Sequence, residues 1–362
     1  MERIQKLKRE LDKRGLDAFL AIRNTRYLAG TAAGKAVIIP IESAPILICS
    51  RLELDQAKRE SWIRDIRAFS SWKAPLRRGE RVYFREPWQL VADCLRELGT
   101  RAIGHDGEKR GFMRKLRGVH AASYRELPEI VLELRKMKSK EEVVLLRKSA
   151  KIASRGMDCA AESIAAGRSE LEIAAEVEYE MRRAGSGGTP FPVIVASGRN
   201  SWLPHATVTR KKLRRDELVV VDLGATFNGY ASDMTRTFAL APTCKQLKLL
   251  QVVKRAQQAA LAKVRAGVKA KTVDTAARTT IARAGYAKFF PHGSGHGVGL
   301  DVHELPSLAP TSKDILSKGM VLTIEPGIYI PNVGGARWED MVLVTRGKYK
   351  LLTKLQKMLY LP

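Results

Sequence analysis

The run Val219-Val220-Val221-Asp222-Leu223-Gly224 ends an apolar strand on a carboxylate, and Ser232-Asp233-Met234-Thr235-Arg236 supplies a second carboxylate eleven residues on. Asn228-Gly229 lies between them and is a hairpin turn signal. A hairpin closed there puts Asp222 and Asp233 on neighbouring strands, facing one site. A carboxylate at the end of a buried strand is costly unless it is paired or bound to a cation. On these two residues alone, a salt-bridged structural hairpin and a functional site are equally good readings.

The downstream sequence tips that balance. Phe290-Pro291-His292-Gly293-Ser294-Gly295-His296-Gly297-Val298-Gly299-Leu300-Asp301-Val302-His303-Glu304 holds three of the chain's six histidines. Glycines between them let backbone approach a ligand closely. Glu325 follows the apolar run 321–324 and precedes Pro326-Gly327, while Glu339 follows Arg337-Trp338 and precedes an apolar run at 341–345. Asp222, Asp233, His296, Glu325 and Glu339 together form an oxygen-rich ligand set whose four negative charges balance two divalent cations. Such ligation favours manganese or iron, with cobalt and zinc able to substitute. A two-metal centre generates a nucleophile at neutral pH and stabilises the oxyanion formed after attack.

The site sits in the second of two expected domains. Residues 4–14, 52–60 and 87–98 have helical spacing of apolar residues, while 18–22, 36–40, 46–49, 81–84 and 101–104 read as strands. This alternation predicts an α/β domain over 1–130, in which no catalytic residue types cluster. Ser139-Lys140-Glu141-Glu142 and Ser169-Glu170-Leu171-Glu172 have capping-box spacing and open helices over 140–165 and 169–184. Strands at 193–196, 218–223, 229–238, 321–324 and 341–345, with helices at 244–265 and 272–284, predict an α+β domain over 131–362. Its paired helices should cover a mostly antiparallel sheet.

Composition removes several classes. The longest apolar run, 36–49, is broken by Pro40, Glu42 and Pro45, so no membrane span is expected. Residues 1–15 are charged throughout and lack the apolar stretch of a secretory signal. Cys49, Cys94, Cys159 and Cys244 lie far apart, which suits reduced thiols in the cytoplasm. Lys+Arg is 64 against Asp+Glu 38, a balance of +26 spread over both halves. Its densest cluster is Arg210-Lys211-Lys212-Leu213-Arg214-Arg215. No nucleic-acid-binding motif accompanies the charge, so a solvated surface is the preferred reading and a nucleic-acid partner is not expected.

The order Asp…Asp…His…Glu…Glu, with Asp-Leu-Gly, Gly-His-Gly-Val-Gly-Leu-Asp-Val-His-Glu, Glu-Pro-Gly-Ile-Tyr and Arg-Trp-Glu-Asp around it, resembles the pita-bread metallopeptidases. These include methionine aminopeptidase, aminopeptidase P and prolidase, and the last two motifs resemble the proline-specific branch. The resemblance implies a creatinase-like amino-terminal domain, a pita-bread catalytic domain and a homodimer. It implies that Asp222 chelates a first metal, Asp233 and Glu339 bridge both, and His296 and Glu325 complete the second. Glu325 would also be the proton shuttle. His303 matches a residue holding the scissile carbonyl, His292 one lining the proline subsite, and His205 a substrate-contacting histidine. Tyr329 and Arg337 match a pair that orients Asp222 from behind, and Arg337 is also a candidate for the substrate carboxylate. Some dipeptidases of the family carry an arginine where this chain has Ser307. The expectation is an Xaa-Pro dipeptidase, with aminopeptidase P as the alternative. A non-catalytic pita-bread protein holding nucleic acid, or creatinase-like hydrolysis without metal, fits the retained ligand set less well.

Overall fold

The computed structural model describes residues 2–107, 111–355 and 360–361. The chain divides into two compact units, Met1–Leu134 and Arg135–Pro362.

The first unit is built on a seven-stranded sheet. Its elements are α1 (Glu2–Asp12), β1 (Ala18–Ala21), α2 (Thr25–Ala29), β2 (Gly34–Pro40), β3 (Ile46–Ser50), α3 (Leu54–Glu60) and β4 (Asp65–Phe69). These are followed by β5 (Val82–Tyr83), α4 (Pro87–Glu97), β6 (Ala102–His105), α5 (Phe112–Val119) and β7 (Ser123–Glu126). The strand order is β5-β4-β3-β2-β1-β6-β7, with β2 antiparallel to both neighbours and the other pairs parallel. Central strands such as β1, with all four residues buried, read as unbroken apolar runs because helices cover the sheet. Leu20, Ile38 and Ile48 pack with Leu90, Val91 and Leu95 of α4 and Leu116 of α5. The sequence reading passed over α2, β4, α5 and β7. β7 is an edge strand with three of its four residues exposed, and β4 carries an ion-paired Arg67 at its centre, so neither shows a clear apolar pattern.

After α6 (Pro128–Lys136), the second unit opens with α7 (Lys140–Ser163) and α8 (Glu170–Arg183). Both begin on the expected capping boxes: Ser139 Oγ accepts from Glu142 N–H while Glu142 returns a bond to Ser139 N–H, and Ser169 and Glu172 repeat it. Strands β8 (Ile194–Ser197), β9 (Glu217–Leu223), β10 (Thr226–Phe227), β11 (Tyr230–Ala231) and β12 (Met234–Leu240) precede α9 (Cys244–Leu261) and α10 (Ala270–Arg283). Then come β13 (Gly295–Gly297), β14 (Glu304–Leu308), β15 (Val321–Ile324), β16 (Gly327–Ile330), β17 (Gly334–Arg337), β18 (Asp340–Val344), β19 (Tyr349–Leu351) and β20 (Tyr360–Leu361). A four-stranded sheet, β20-β12-β9-β8, shares its core with α7 and α8 through residues such as Met157, Val177, Val221 and Phe238. A five-stranded sheet, β14-β13-β15-β18-β19, does the same with α9 and α10 through Val253, Ile281, Leu322 and Val342.

One expected element divides. The strand read over 229–238 is β11 and β12 with a break at Ser232-Asp233. The β10–β11 hairpin turns at Asn228 and Gly229, both at positive φ; Ser232 N–H still bonds the Ala225 carbonyl in register, and the ladder is interrupted where Asp233 N–H turns to Met341 Sδ at 3.2 Å. That break frees Asp233 from strand pairing next to the site.

Candidate metal centre

Strand register brings the acidic residues together. In the β9–β12 ladder Asp222 lies opposite Thr235, so Asp233, two residues earlier, follows on the same face. In the β15–β18 ladder Ile324 lies opposite Asp340, which sets Glu325 and Glu339 across from each other one step beyond the last pair. Glu339 N–H donates to the Thr235 carbonyl at 3.1 Å, tying the two sheets at the site. The glycine loop allows the third approach: a Cβ on Gly295 would collide with the Thr323 carbonyl, and one on Gly297 with the Leu305 carbonyl. His296 thereby enters between β14 and β15, its N–H donating to Thr323 Oγ1 at 3.0 Å.

One ligand atom each from Asp233, His296 and Glu339 lies within 4.8 Å of the others. His296 Nε2 is 3.2 Å from Glu325 Oε1 and 3.6 Å from Asp233 Oδ2. Its Nδ1 is 3.0 Å from the Gly297 carbonyl, which can only accept, so Nδ1 carries a hydrogen. In a neutral ring Nε2 would then aim a lone pair at two carboxylates, an arrangement that needs a proton or a cation between them. Burial opposes charge on His296, yet the hydrogen bond and charge of Glu325 and the charge of Glu339 raise its pKa to about 9. Glu325 is pushed down to about 2 against its burial, chiefly by the bond and charge of His296, with help from Arg337. Burial raises Asp233 well above the ordinary carboxylate range, helped by the charges of Glu339, Asp222 and Glu325. Glu339 is raised in the same way, by burial and then by Glu325 and Asp222.

Arg337 is the guanidinium built into this wall. It is 4% exposed and donates to Asp222 Oδ2 at 2.5 Å, Tyr329 Oη at 2.8 Å, Thr235 Oγ1 at 3.0 Å and the Pro204 carbonyl at 3.3 Å. His292 Nδ1 lies 2.7 Å from the Gly293 carbonyl, so in the neutral ring Nε2 accepts from Tyr329 O–H at 3.0 Å. Burial favours that neutral ring by lowering the pKa of His292. The His292 ring meets Phe290 edge-on, with centroids 5.0 Å apart. The His303 ring stands 4.4 Å from that of His296, and both His303 and His205 are exposed. Ser307 is exposed as well and pairs with His296 in the β13–β14 ladder.

Three supporting residues escaped the sequence reading. Thr235 is fully buried and donates to Glu339 Oε2 at 2.8 Å while accepting from Arg337. Asp274 on α10 accepts from Ser294 N–H and Oγ and pairs with Arg278, which also donates to the His292 carbonyl at 2.7 Å. Asp340 receives Arg236 and Gln257 directly behind Glu339. Only Thr235 left a signal: the period of two places it on the face of Asp233. The basic loop at 210–215 lies away from this arrangement, with Lys211 tied to Glu217 and Ser197 at 2.7 Å each.

Residues 144–346 match metallopeptidase family M24, and residues 3–137 match the Creatinase/Prolidase N-terminal domain. The chain belongs to metallopeptidase family M24. Its two units are accordingly a creatinase-like domain followed by an M24 catalytic domain of pita-bread fold. An Xaa-Pro dipeptidase of Pyrococcus horikoshii is 35% identical over 362 residues, covering 98% of each chain. The structure of an Xaa-Pro dipeptidase from Bacillus anthracis superposes with a TM-score of 0.91 at 32% identity, covering 100% of this chain and 99% of that one. An X-Pro aminopeptidase structure from Thermotoga maritima gives 0.86 at 29% identity, covering 96% and 98%.

Membership of M24 implies divalent metal ions, and the residues present fit them. Among the described residues, Asp222 Oδ1 and Glu339 Oε1 are buried without a hydrogen-bond partner, and His296 Nε2 faces carboxylates. Buried acceptors left this way carry a desolvation penalty that a cation removes. Among the described residues no helix is long and apolar enough to cross a membrane.

Proposed function

We propose that this chain is an Xaa-Pro dipeptidase dependent on two divalent metal ions. The observation that carries the proposal is the wall of Asp222, Asp233, His296, Glu325 and Glu339, in which Asp222 Oδ1 and Glu339 Oε1 are buried without a partner among the described residues although Arg337 reaches Asp222. These five residues would hold the ions, with Asp233 and Glu339 shared between them. Manganese is the ion we propose, because four of the five donors are carboxylates. When bound, the ions would lower the pKa of a water and polarise the scissile carbonyl.

The remaining work falls to side chains of the chain. Glu325, beside His296 and facing Glu339 across the strand ends, takes the proton given up by the attacking water and delivers it to the departing proline nitrogen. His303 and His205 hold the scissile carbonyl and the substrate amide from the open side. The ring of His292, fixed by Tyr329 and edged by Phe290, forms an apolar wall for the pyrrolidine ring. An Xaa-Pro amide has no N–H and a fixed φ, so recognition through such walls avoids the strand-like binding that proline prevents.

The dipeptide reading is supported by the full-length relatives named Xaa-Pro dipeptidase. A second reading, aminopeptidase P, is favoured by Ser307, which offers a hydroxyl and no charge beside His296, and by the Thermotoga maritima neighbour. Turnover of Xaa-Pro dipeptides against Xaa-Pro-Xaa tripeptides, with and without added manganese or cobalt, decides between them. Faster cleavage of tripeptides would replace the first reading by the second. A cytoplasmic homodimer is the proposed form. Four free cysteines suit a reducing compartment, and exposed Leu52, Trp72 and Leu76 on the first unit suit contact with a second copy.

A further inference from the structure

His303 is held by its backbone alone: among the described residues its ring makes no hydrogen bond, and its one ring contact is the edge of His296. Its placement therefore depends on the turn that carries it, residues 298–304. Gly299 N–H bonds the Asp301 carbonyl at 3.0 Å, and Val298 N–H bonds the Val321 carbonyl at 3.1 Å. Leu300 and Val302 press inward on the cluster of Leu146, Tyr230 and Val321, while Asp301 and His303 point out. Glu304 then folds back beneath the turn. Its Oε1 accepts Asp301 N–H at 3.2 Å, and a Cβ on Gly299 would strike this carboxylate, so the turn is wrapped tightly around it.

Two buried cations lock that carboxylate in place. Arg135 donates to Glu304 Oε1 through both Nε and Nη2 and reaches Asp301 Oδ2 at 2.6 Å. Lys138 Nζ lies 3.0 Å from Glu304 Oε2, and its side chain is 1% exposed. Lys138 is in turn fixed by its N–H bond to the Gly319 carbonyl at 3.2 Å, and Lys136 is fixed by Asp314 at 2.6 Å. Arg135, Lys136 and Lys138 lie in the four residues at which the second unit begins. Buried charges this well paired hold their geometry firmly, because loss of either partner strands the other.

We propose that Glu304, clamped by Arg135 and Lys138, is a positioning residue that sets His303 against the substrate carbonyl. This rests on the reading of His303 as a substrate contact. A misplacement of about 1 Å at a reacting group costs up to about a hundredfold in rate. Glu304→Gln keeps the shape and the Asp301 N–H contact but removes the charge that pairs with Lys138 and Arg135, leaving Arg135 only its Asp301 partner among the described residues. It should lower kcat by about ten- to a hundredfold with KM within about twofold and bound manganese unchanged.

The test is a double-mutant cycle on the full, metal-loaded chain, with metal content and melting temperature measured for every variant. In a His303→Ala background, Glu304→Gln should cost less than about twofold more, because its route to the substrate is gone. If Glu304→Gln folds poorly, Glu304→Gln with Lys138→Met removes carboxylate and ammonium together and enters the same cycle. An equal loss in both backgrounds would mean that the cluster only supports the fold, and would overturn the proposal. Unchanged kcat in Glu304→Gln would overturn it too. Undiminished turnover in His303→Ala would remove the reading of His303 itself, and the proposal with it.

Discussion

Replacing Thr235 by valine tests whether the ligand wall is held from behind. The substitution keeps volume and branching at a fully buried position, so cavity effects stay small. It deletes one hydroxyl that donates to Glu339 Oε2 at 2.8 Å and accepts from Arg337 Nε at 3.0 Å. Both bonds involve a charged partner, and each such bond contributes about 1.5–3 kcal/mol. Glu339 Oε1 already lacks a partner, so the variant leaves both oxygens of a buried carboxylate unsatisfied. Some of the loss returns as the metal-free site protonates, and a net cost of about 2–4 kcal/mol remains. Urea unfolding in the presence of chelator measures it. The same variant loosens the orientation of Glu339, so manganese affinity by titration calorimetry should fall about ten- to a hundredfold. Thr237→Val is the control: among the described residues the Thr237 hydroxyl bonds only the backbone N–H and carbonyl of Arg337, so about 1 kcal/mol of stability should be lost with little change in affinity. Thr235→Ser should restore both quantities. Wild-type manganese affinity in Thr235→Val would refute the reasoning, because an unsupported Glu339 would then bind as well as a supported one.

Glu339→Ala removes the proposed shared ligand and should abolish turnover and one metal equivalent; a variant that keeps two ions by elemental analysis would break the assignment. Ser307→Arg places a guanidinium at an exposed site opposite His296, where a carboxylate contact is worth about 1 kcal/mol, so dipeptide kcat/KM should rise about fivefold with tripeptides unchanged. No gain would mean that another cation already meets the proline carboxylate. In the first unit, the bond from Arg51, followed by Arg77, holds the pKa of Glu80 at about 2 against an ordinary 4.5. A depressed carboxylate stabilises the fold above its unfolded pKa and ceases to as pH falls through the folded one. The melting-temperature advantage of wild type over Glu80→Gln should therefore hold above about pH 5 and shrink towards pH 2; an advantage that grows with acid would contradict the pairing.

What the sequence discloses about this protein depends on whether a residue's role has a local cause. Asp222 and Asp233 were legible as neighbours because an apolar strand, an Asn-Gly turn and a period of two are all written within twenty residues. The capping boxes at Ser139 and Ser169 were legible for the same reason and start α7 and α8 as expected. Thr235 looked like any strand threonine, since its partner Glu339 lies 104 residues away. Glu304 looked like the acidic neighbour of a histidine, although its cations come from positions 166 and 169 residues earlier. The register of β15 against β18, which sets Glu325 opposite Glu339, is likewise decided by sheet packing and by no motif. The two kinds of residue divide along a physical line. The wall of acids repels itself and had to be announced by unusual placement of charge, whereas the hydroxyls and ion pairs that restrain it are ordinary residues given their function by what the fold brings against them. Arg337 belongs to both groups: it stands two residues before Glu339 in sequence, yet across the sheets it neutralises Asp222, braces Tyr329 and, through Thr235, holds Glu339 in line with the site.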